Sequence, residues 1–160
     1  MGRVSLKLSV NKVQQALKSM GLAAEVMEFS ESTRTAAEAA AAIGTTVGQI
    51  AKSLVFMAGN EPVLVIASGA NRVDVGKLHR LLGEKIIRAD AETVRRTTGF
   101  SIGGIPPVGH RERMRTLVDE DLLSFTVIYA AAGTPNAVFA VSSTDLVRIA
   151  EAEVANIKEG

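Results

Sequence analysis

Two β-branched-rich runs, Ser53–Ala58 and Pro62–Ala67, flank the turn formers Gly59-Asn60-Glu61 at the centre of the chain. Runs this short on either side of so tight a break predict a β-hairpin. A hairpin cannot fold alone in water, so its apolar faces must be covered by the rest of the sequence. The flanking segments supply the cover. Residues 11–20 place Val13, Leu17 and Met20 on one helical face, with Gly21 as a stop. Thr35-Ala36-Ala37-Glu38 is a capping box, in which hydroxyl and carboxylate satisfy orphan amides reciprocally, and its Ala-rich helix ends at Gly44. Thr46-Val47-Gly48-Gln49 opens one short turn leading to Lys52.

Three more helices are expected. One is Asp74–Leu82, with Val75, Leu78, Leu81 and Leu82 facing inward; one runs from an Asp90 cap through Arg96 and stops at Gly99; one covers about Thr144–Ala150. Further strands are expected at Glu25–Phe29, Ile86–Ala89, Thr116–Val118, Thr126–Ala131 and Ala137–Val141, the last two joined by Gly133-Thr134-Pro135-Asn136. Strands outnumber helices and do not alternate strictly with them. The expectation is therefore an α+β fold, a curled mixed β-sheet, barrel-like, flanked by helices. No repeat or linker divides the sequence, and residues 1–160 are read as a single domain.

Composition removes several classes of function. With no cysteine, the chain has no disulfide, no Cys-ligated zinc, no iron–sulfur cluster and no thiol nucleophile. Its two histidines are too far apart to suggest a metal site, so neither metal nor cofactor is expected. The longest apolar stretches, near Leu54–Ala58 and Val63–Ala67, are five residues long, against the ~20 that span a bilayer. No targeting segment is evident, and a cytoplasmic location without membrane partners is expected. A net charge of +1, from 18 basic and 17 acidic residues, argues against a protein that coats DNA or RNA along its length.

The segment Thr98–His110 holds four of the 14 glycines and two of the four prolines within thirteen residues. Glycine lets a ligand approach the backbone, and proline stiffens the loop, so amides can be held ready for a developing oxyanion. The same composition also suits a surface connection. Lys52, at the junction of a turn and a strand, is either a snorkelling edge residue or a buried cation held against an anion or carbonyl. His110 closes the glycine-rich loop, whereas His79 lies beside Lys77 and Arg80 on a solvated face. Asp145, three residues after Ser142, is adequately explained by the start of a helix. Gly133–Asn136 reads first as a hairpin turn. Arg95, Arg96, Arg111, Arg113 and Arg115 flank the glycine-rich loop, either as solvated surface or as phosphate-positioning groups at a pocket mouth. The loop is no P-loop and no dinucleotide fingerprint, since it lacks the Gly-Lys-Ser/Thr ending and the strand-to-helix order.

Read in order, Ser32-Thr33-Arg34-Thr35-Ala36, Gly48-Gln49-Ile50-Ala51-Lys52-Ser53-Leu54, Thr98-Gly99-Phe100, Gly103-Gly104-Ile105-Pro106-Pro107-Val108-Gly109-His110, and Gly133-Thr134-Pro135 followed by Asp145-Leu146 resemble the YbaK/prolyl-tRNA synthetase-associated domain family. The resemblance extends from about residue 9 to 157. It implies hydrolysis of the ester joining a small, wrong amino acid (Ala, Ser, Cys or similar) to the 3′ end of a tRNA, with tRNA-Pro first in line. The implied partners are that mischarged tRNA end and an aminoacyl-tRNA synthetase. Lys52 matches the family's essential lysine, and Gly103 and Gly104 match the loop whose amides meet the aminoacyl carbonyl or the attacking water. Phe29, Ser53, Phe100, Ile105, His110, Gly133, Thr134 and Asp145 complete the expected substrate-contacting set. The chain departs from the pattern twice. Phe29 and Phe100 stand where some cysteine-clearing members have tyrosines, and Lys52-Ser53 replaces the Lys-Asn of alanine-clearing members. A non-catalytic tRNA- or synthetase-binding module is the rival from another class. A hydrolase of free esters or nucleotides is a third.

Overall fold

The structure, a computed structural model, describes residues 2–160, with side chains from residue 8 onward. The central hairpin forms as expected but is longer, with β2 at Ile50–Ala58 and β3 at Glu61–Ser68 in antiparallel register from Ala51↔Ser68 to Ala58↔Glu61. The extension places Lys52 inside a strand rather than at its edge. Around the hairpin lie β1 (Val26–Glu28), β4 (Ile86–Arg88), β5 (Arg115–Asp119), β6 (Val127–Ala131), β7 (Ala137–Ser142) and β8 (Glu153–Ala155). All eight belong to one mixed sheet, ordered β1-β7-β6-β2-β3-β5-β8, with β4 on β2 as a branch. The sheet is not closed, so the curl stops short of a barrel, with β1 and β8 at its two ends.

Among the described residues five α-helices accompany this sheet: α1 (Gly2–Ser19), α2 (Ala36–Ile43), α3 (Val75–Leu82), α4 (Ala91–Thr98) and α5 (Ser143–Ala150). Four begin where a side chain accepts an amide proton, from Thr35, Asp74, Asp90 and Ser142 respectively. In α2 the box is complete: Thr35 Oγ1 accepts from the Glu38 amide, and Glu38 Oε1 accepts from the Thr35 amide, both at 3.1 Å. Because both faces of the hairpin are covered, β3 is almost continuously apolar and buried. One face meets Val13 and Leu17 of α1, Phe139 of β7 and the glycine-rich segment through Phe100, Ile105 and Val108. The other meets Leu78 of α3, Ile86 of β4 and Ile157.

Three expectations are corrected. Met20 lies just past α1, in a turn, and is exposed. In α3 only Leu78 is buried, and Val75 and Leu81 face solvent, because a helix of two turns offers the sheet a single narrow stripe. Strand β8 lies in the tail that follows the last predicted helix: Glu153–Ala155 extends the sheet by pairing in parallel with β5. Among the described residues, no helix is long and apolar enough to cross a membrane.

Candidate active site

The sheet opens at one place. Along the edge of β2 opposite β3, β6 pairs in parallel only at Ile50–Ala51, and β4 pairs antiparallel only at Phe56–Ala58. Lys52, Ser53 and Leu54 lie between the two pairings. A cavity of about 340 Å3 occupies this gap. Its walls are Thr33–Ala36 and Ala39 from the start of α2, Ile50–Leu54 of β2, Arg88 of β4, Tyr129–Ala131 of β6 and Ile102, Gly103 and Ile105 of the glycine-rich loop.

Side chains alternate along a strand, so neighbours on β2 face opposite sides. Lys52 shares a face with Leu54 and Phe56, and Ser53 shares the other with Ala51 and Val55. Lys52 is partly buried and makes no ion pair among the described residues. Burial above all, and then the positive charges of Arg88 and Arg72, hold its pKa below the ordinary lysine value, against the pull of Asp119. Asp119 itself is fully buried and its oxygens are taken: the amides of Ser68 and Asp121 and the Asn71 side chain all donate to them at 2.9–3.0 Å.

Two further cations line the cavity, Arg34 and Arg88, and neither forms an ion pair among the described residues. Arg34 lies against Gly103, where φ is +92° and a Cβ would overlap the arginine side chain. Arg88 stacks over the Phe56 ring at 5.8 Å. Among the described residues, three cations and no carboxylate line the cavity. That arrangement selects an anion or a strongly polarised oxygen.

The glycine-rich loop brings main-chain donors. The Gly104 amide is already committed, donating to the Ser101 carbonyl at 3.0 Å. Gly104 instead makes a structural joint: its carbonyl accepts from the Gly133 amide at 3.0 Å, and a Cβ would lie within 2.8–2.9 Å of the Thr134 backbone. The amides of Gly103 and Ile105, both lining the cavity, donate to no protein acceptor among the described residues.

Of the residues expected to act, Lys52, Ser53, Gly103 and Ile105 meet at this cavity. Gly133 and Thr134 stand one layer behind; Thr134 Oγ1 donates to Asn136 Oδ1 at 2.9 Å and Gly133 packs against the Ser9 carbonyl. Phe100 is buried in the core. Phe29 bonds Asn136 through its backbone, its amide donating to the Asn136 carbonyl and its carbonyl accepting from the Asn136 side chain, which ties the strand leading to α2 onto the β6–β7 turn. Asp145 pairs with Arg148 at 3.2 Å in α5. His110 lines a separate cleft of about 350 Å3 with Arg113 and Glu151, and its Nε2 lies 2.6 Å from the Pro106 carbonyl.

Sequence reasoning did not single out Arg88 or Tyr129, which reach the cavity only through strand pairing. Arg34 had a signal, since it stands in the Ser-Thr-Arg-Thr-Ala motif. Among the five arginines flanking the glycine-rich loop, none lines this cavity.

Comparison with known proteins gives a consistent result. Residues 30–149 match the family described as the aminoacyl-tRNA editing domain. A solved structure described provisionally as a trans-editing enzyme for prolyl tRNA synthetase is 47% identical, with a TM-score of 0.91 over 95% of this chain and 98% of that one. A protein of Enterococcus faecalis provisionally named the Cys-tRNA(Pro)/Cys-tRNA(Cys) deacylase EbsC is 30% identical over 108 residues, 66% of this chain and 65% of its own length. The proline–tRNA ligase of Ligilactobacillus salivarius is 34% identical over 90 residues, 56% of this chain but only 16% of the ligase.

Proposed function

Since this chain belongs to the aminoacyl-tRNA editing domain family, we propose that it hydrolyses the ester of a small, wrong amino acid on a tRNA, with tRNA-Pro the first candidate. One observation carries the reading. Three cations, Arg34, Lys52 and Arg88, line a small cavity with Gly103 and Ile105, and among the described residues the cations form no ion pair and these two main-chain amides have no acceptor.

The chemistry follows from those parts. An aminoacyl ester is already activated, so the site has to position water and stabilise charge rather than create a strong nucleophile. Water adds to the ester carbonyl, and the electron pair moves to the carbonyl oxygen. The Gly103 and Ile105 amides stabilise that oxyanion because they are held in place before charge develops. The C–O bond to the ribose then breaks, releasing free amino acid and a tRNA with its terminal hydroxyl restored. Among the described residues no carboxylate or imidazole lines the cavity, so the substrate's vicinal 2′-hydroxyl or a second water carries the proton from nucleophile to leaving oxygen.

Lys52 fixes the terminal adenosine or the carbonyl with a compact positive charge, while Arg34 and Arg88 hold the flanking phosphates at the mouth. Arginine suits that task because its planar donors pair with two phosphate oxygens at once. Cavity size excludes larger amino acids, the principle of a second sieve acting after synthesis. The proline–tRNA synthetase relationship makes a synthetase the candidate partner.

The test is a deacylation panel on tRNA-Pro charged with Ala, Ser, Cys or 2-aminobutyrate. Wild type should cleave at least one ester, and Lys52→Ala should lose about 10²-fold or more in rate. A folded Lys52→Ala protein that cleaves as fast as wild type refutes the reading.

A further inference from the structure

The five arginines that flank the glycine-rich loop do not share one fate. Arg113 and Arg115 are spent in ion pairs with Glu151 and Glu153, at 2.6 and 2.7 Å. Arg96 acts on the carboxylate of Asp90, the cap of its own helix. Arg95 and Arg111 have no such partner, and Lys12 of α1 joins them at the C-terminal end of α4. A Cβ placed on Gly99, which closes α4, would lie 3.1 Å from Lys12 Nζ and 3.9 Å from Arg111 Nε, so these two cations are no more than about 7 Å apart. Arg95 stands one turn earlier, on the same face of the helix as Gly99.

All three side chains are exposed, and among the described residues none forms an ion pair or donates a hydrogen bond. Glu92 on α4 and Glu112 beside Arg111 are exposed too and pair with none of them. Helix capping does not account for the cluster. The last carbonyls of α4 are already met by amides: Arg95 by Gly99 at 2.9 Å, Thr97 by Glu112 at 2.9 Å and Thr98 by Arg111 at 3.1 Å. Lys12 lies over the Phe100 ring at 5.1 Å, a contact that neutralises no charge. Like charges gathered this closely favour an anion that bridges them.

We propose that Lys12, Arg95 and Arg111 form a phosphate-binding patch that holds the backbone of the tRNA whose 3′ end enters the cavity. The inference rests on the editing reading above. Gly99 is four residues from Gly103 in the cavity wall, a span of at most about 14 Å. Phosphates recur about every 3.4 Å along one strand of a duplex, so those a few nucleotides from the ester fall within reach. Three exposed cations on an open surface suit a polyanion, since a small anion would have no walls to hold it. Such contacts position the carrier and carry no information about the amino acid.

The experiment measures binding of uncharged tRNA-Pro at increasing salt. Lys12→Gln/Arg111→Gln should bind about tenfold or more weakly near 0.1 M salt, with a log–log salt slope shallower by about 1.5. Arg95→Gln breaks no side-chain bond and should lower the slope by about 0.8, which decides the matter if the double variant folds poorly. Arg80→Gln makes the same charge change on α3, at the other face of the hairpin, and should match wild type. In deacylation the patch variants should raise KM and hold kcat within about twofold. An unchanged slope in the patch variants, or no tRNA binding by wild type, overturns the proposal. An equal fall in Arg80→Gln also overturns it, as an effect of net charge alone. Loss of kcat with affinity intact does the same, since the cations then only brace the loop. A wild type that binds tRNA through these cations but cleaves no ester leaves the patch standing and removes the editing reading.

Discussion

The backbone of Gly104 is packed directly on the backbone of Thr134, and its carbonyl accepts the amide of Gly133 at 3.0 Å. This contact joins the glycine-rich loop to the β6–β7 turn and so anchors the backbone between Gly103 and Ile105. Gly104 has no left-handed φ, so its requirement for glycine is one of space alone. Gly104→Ala should therefore lower stability by about 1–3 kcal/mol, as overpacking does. Urea denaturation measures that cost. Deacylation by the folded fraction should also fall, because displaced amides lose the oxyanion.

Lys52 should show its charge in the pH dependence of binding. Burial and the neighbouring Arg88 and Arg72 lower its pKa from the usual 10.5, so the cation is lost at a lower pH than for a free lysine. Affinity for a non-hydrolysable amide analogue of the aminoacylated tRNA end should decline as pH rises through that lowered value. Lys52→Arg should hold its affinity over the same range. The sign for folding is opposite. Below the lowered pKa the buried charge opposes folding, and the penalty is relieved as pH rises towards 10.5. Lys52→Met should accordingly be more stable than wild type at neutral pH.

His110 predicts an acid sensitivity unrelated to the proposed chemistry. Burial, with a smaller push from Lys12, lowers its pKa from 6.5, against the raising effect of the Pro106 carbonyl. The 2.6 Å contact makes Nε2 the protonated nitrogen of the neutral ring. As pH falls from 6.5 towards the lowered value, the unfolded chain binds a proton that the native chain refuses, so stability drops. His110→Gln retains a donor for Pro106 and should lack this component. Urea midpoints of both proteins between pH 8 and pH 5 test it: the difference should change below about pH 6.5 and stay constant above it.

Local signals were legible wherever the physics was local. The Thr35–Glu38 box, the Asp90 cap and the left-handed glycines at 44, 83 and 99 mark helix ends that the structure reproduces. The hairpin was legible because its turn and β-branched runs are contiguous. Position 88 was not, since Arg88 reaches the cavity only when β4 pairs with one end of β2 and leaves the rest free, a long-range event that no short window encodes. The glycine-rich loop was recognised as special, yet composition could not say which amides are spent on its own turn. Gly104 and Gly103 look alike in sequence, yet in the structure the Gly104 amide is taken by the Ser101 carbonyl and Gly103 alone of the two has a left-handed φ. Phe100, His110 and Asp145 stand beside recognisable motifs but serve the core, a loop anchor and a helix end, respectively.

The pleat of β2 gives consecutive positions 52 and 53 independent outlooks. On the proposed reading, a substitution at 53 reshapes the cavity wall without moving the ammonium next door, and a change at 52 alters the hold on the carrier without reshaping that wall. One strand thus keeps two properties on separate controls, only a single peptide bond apart.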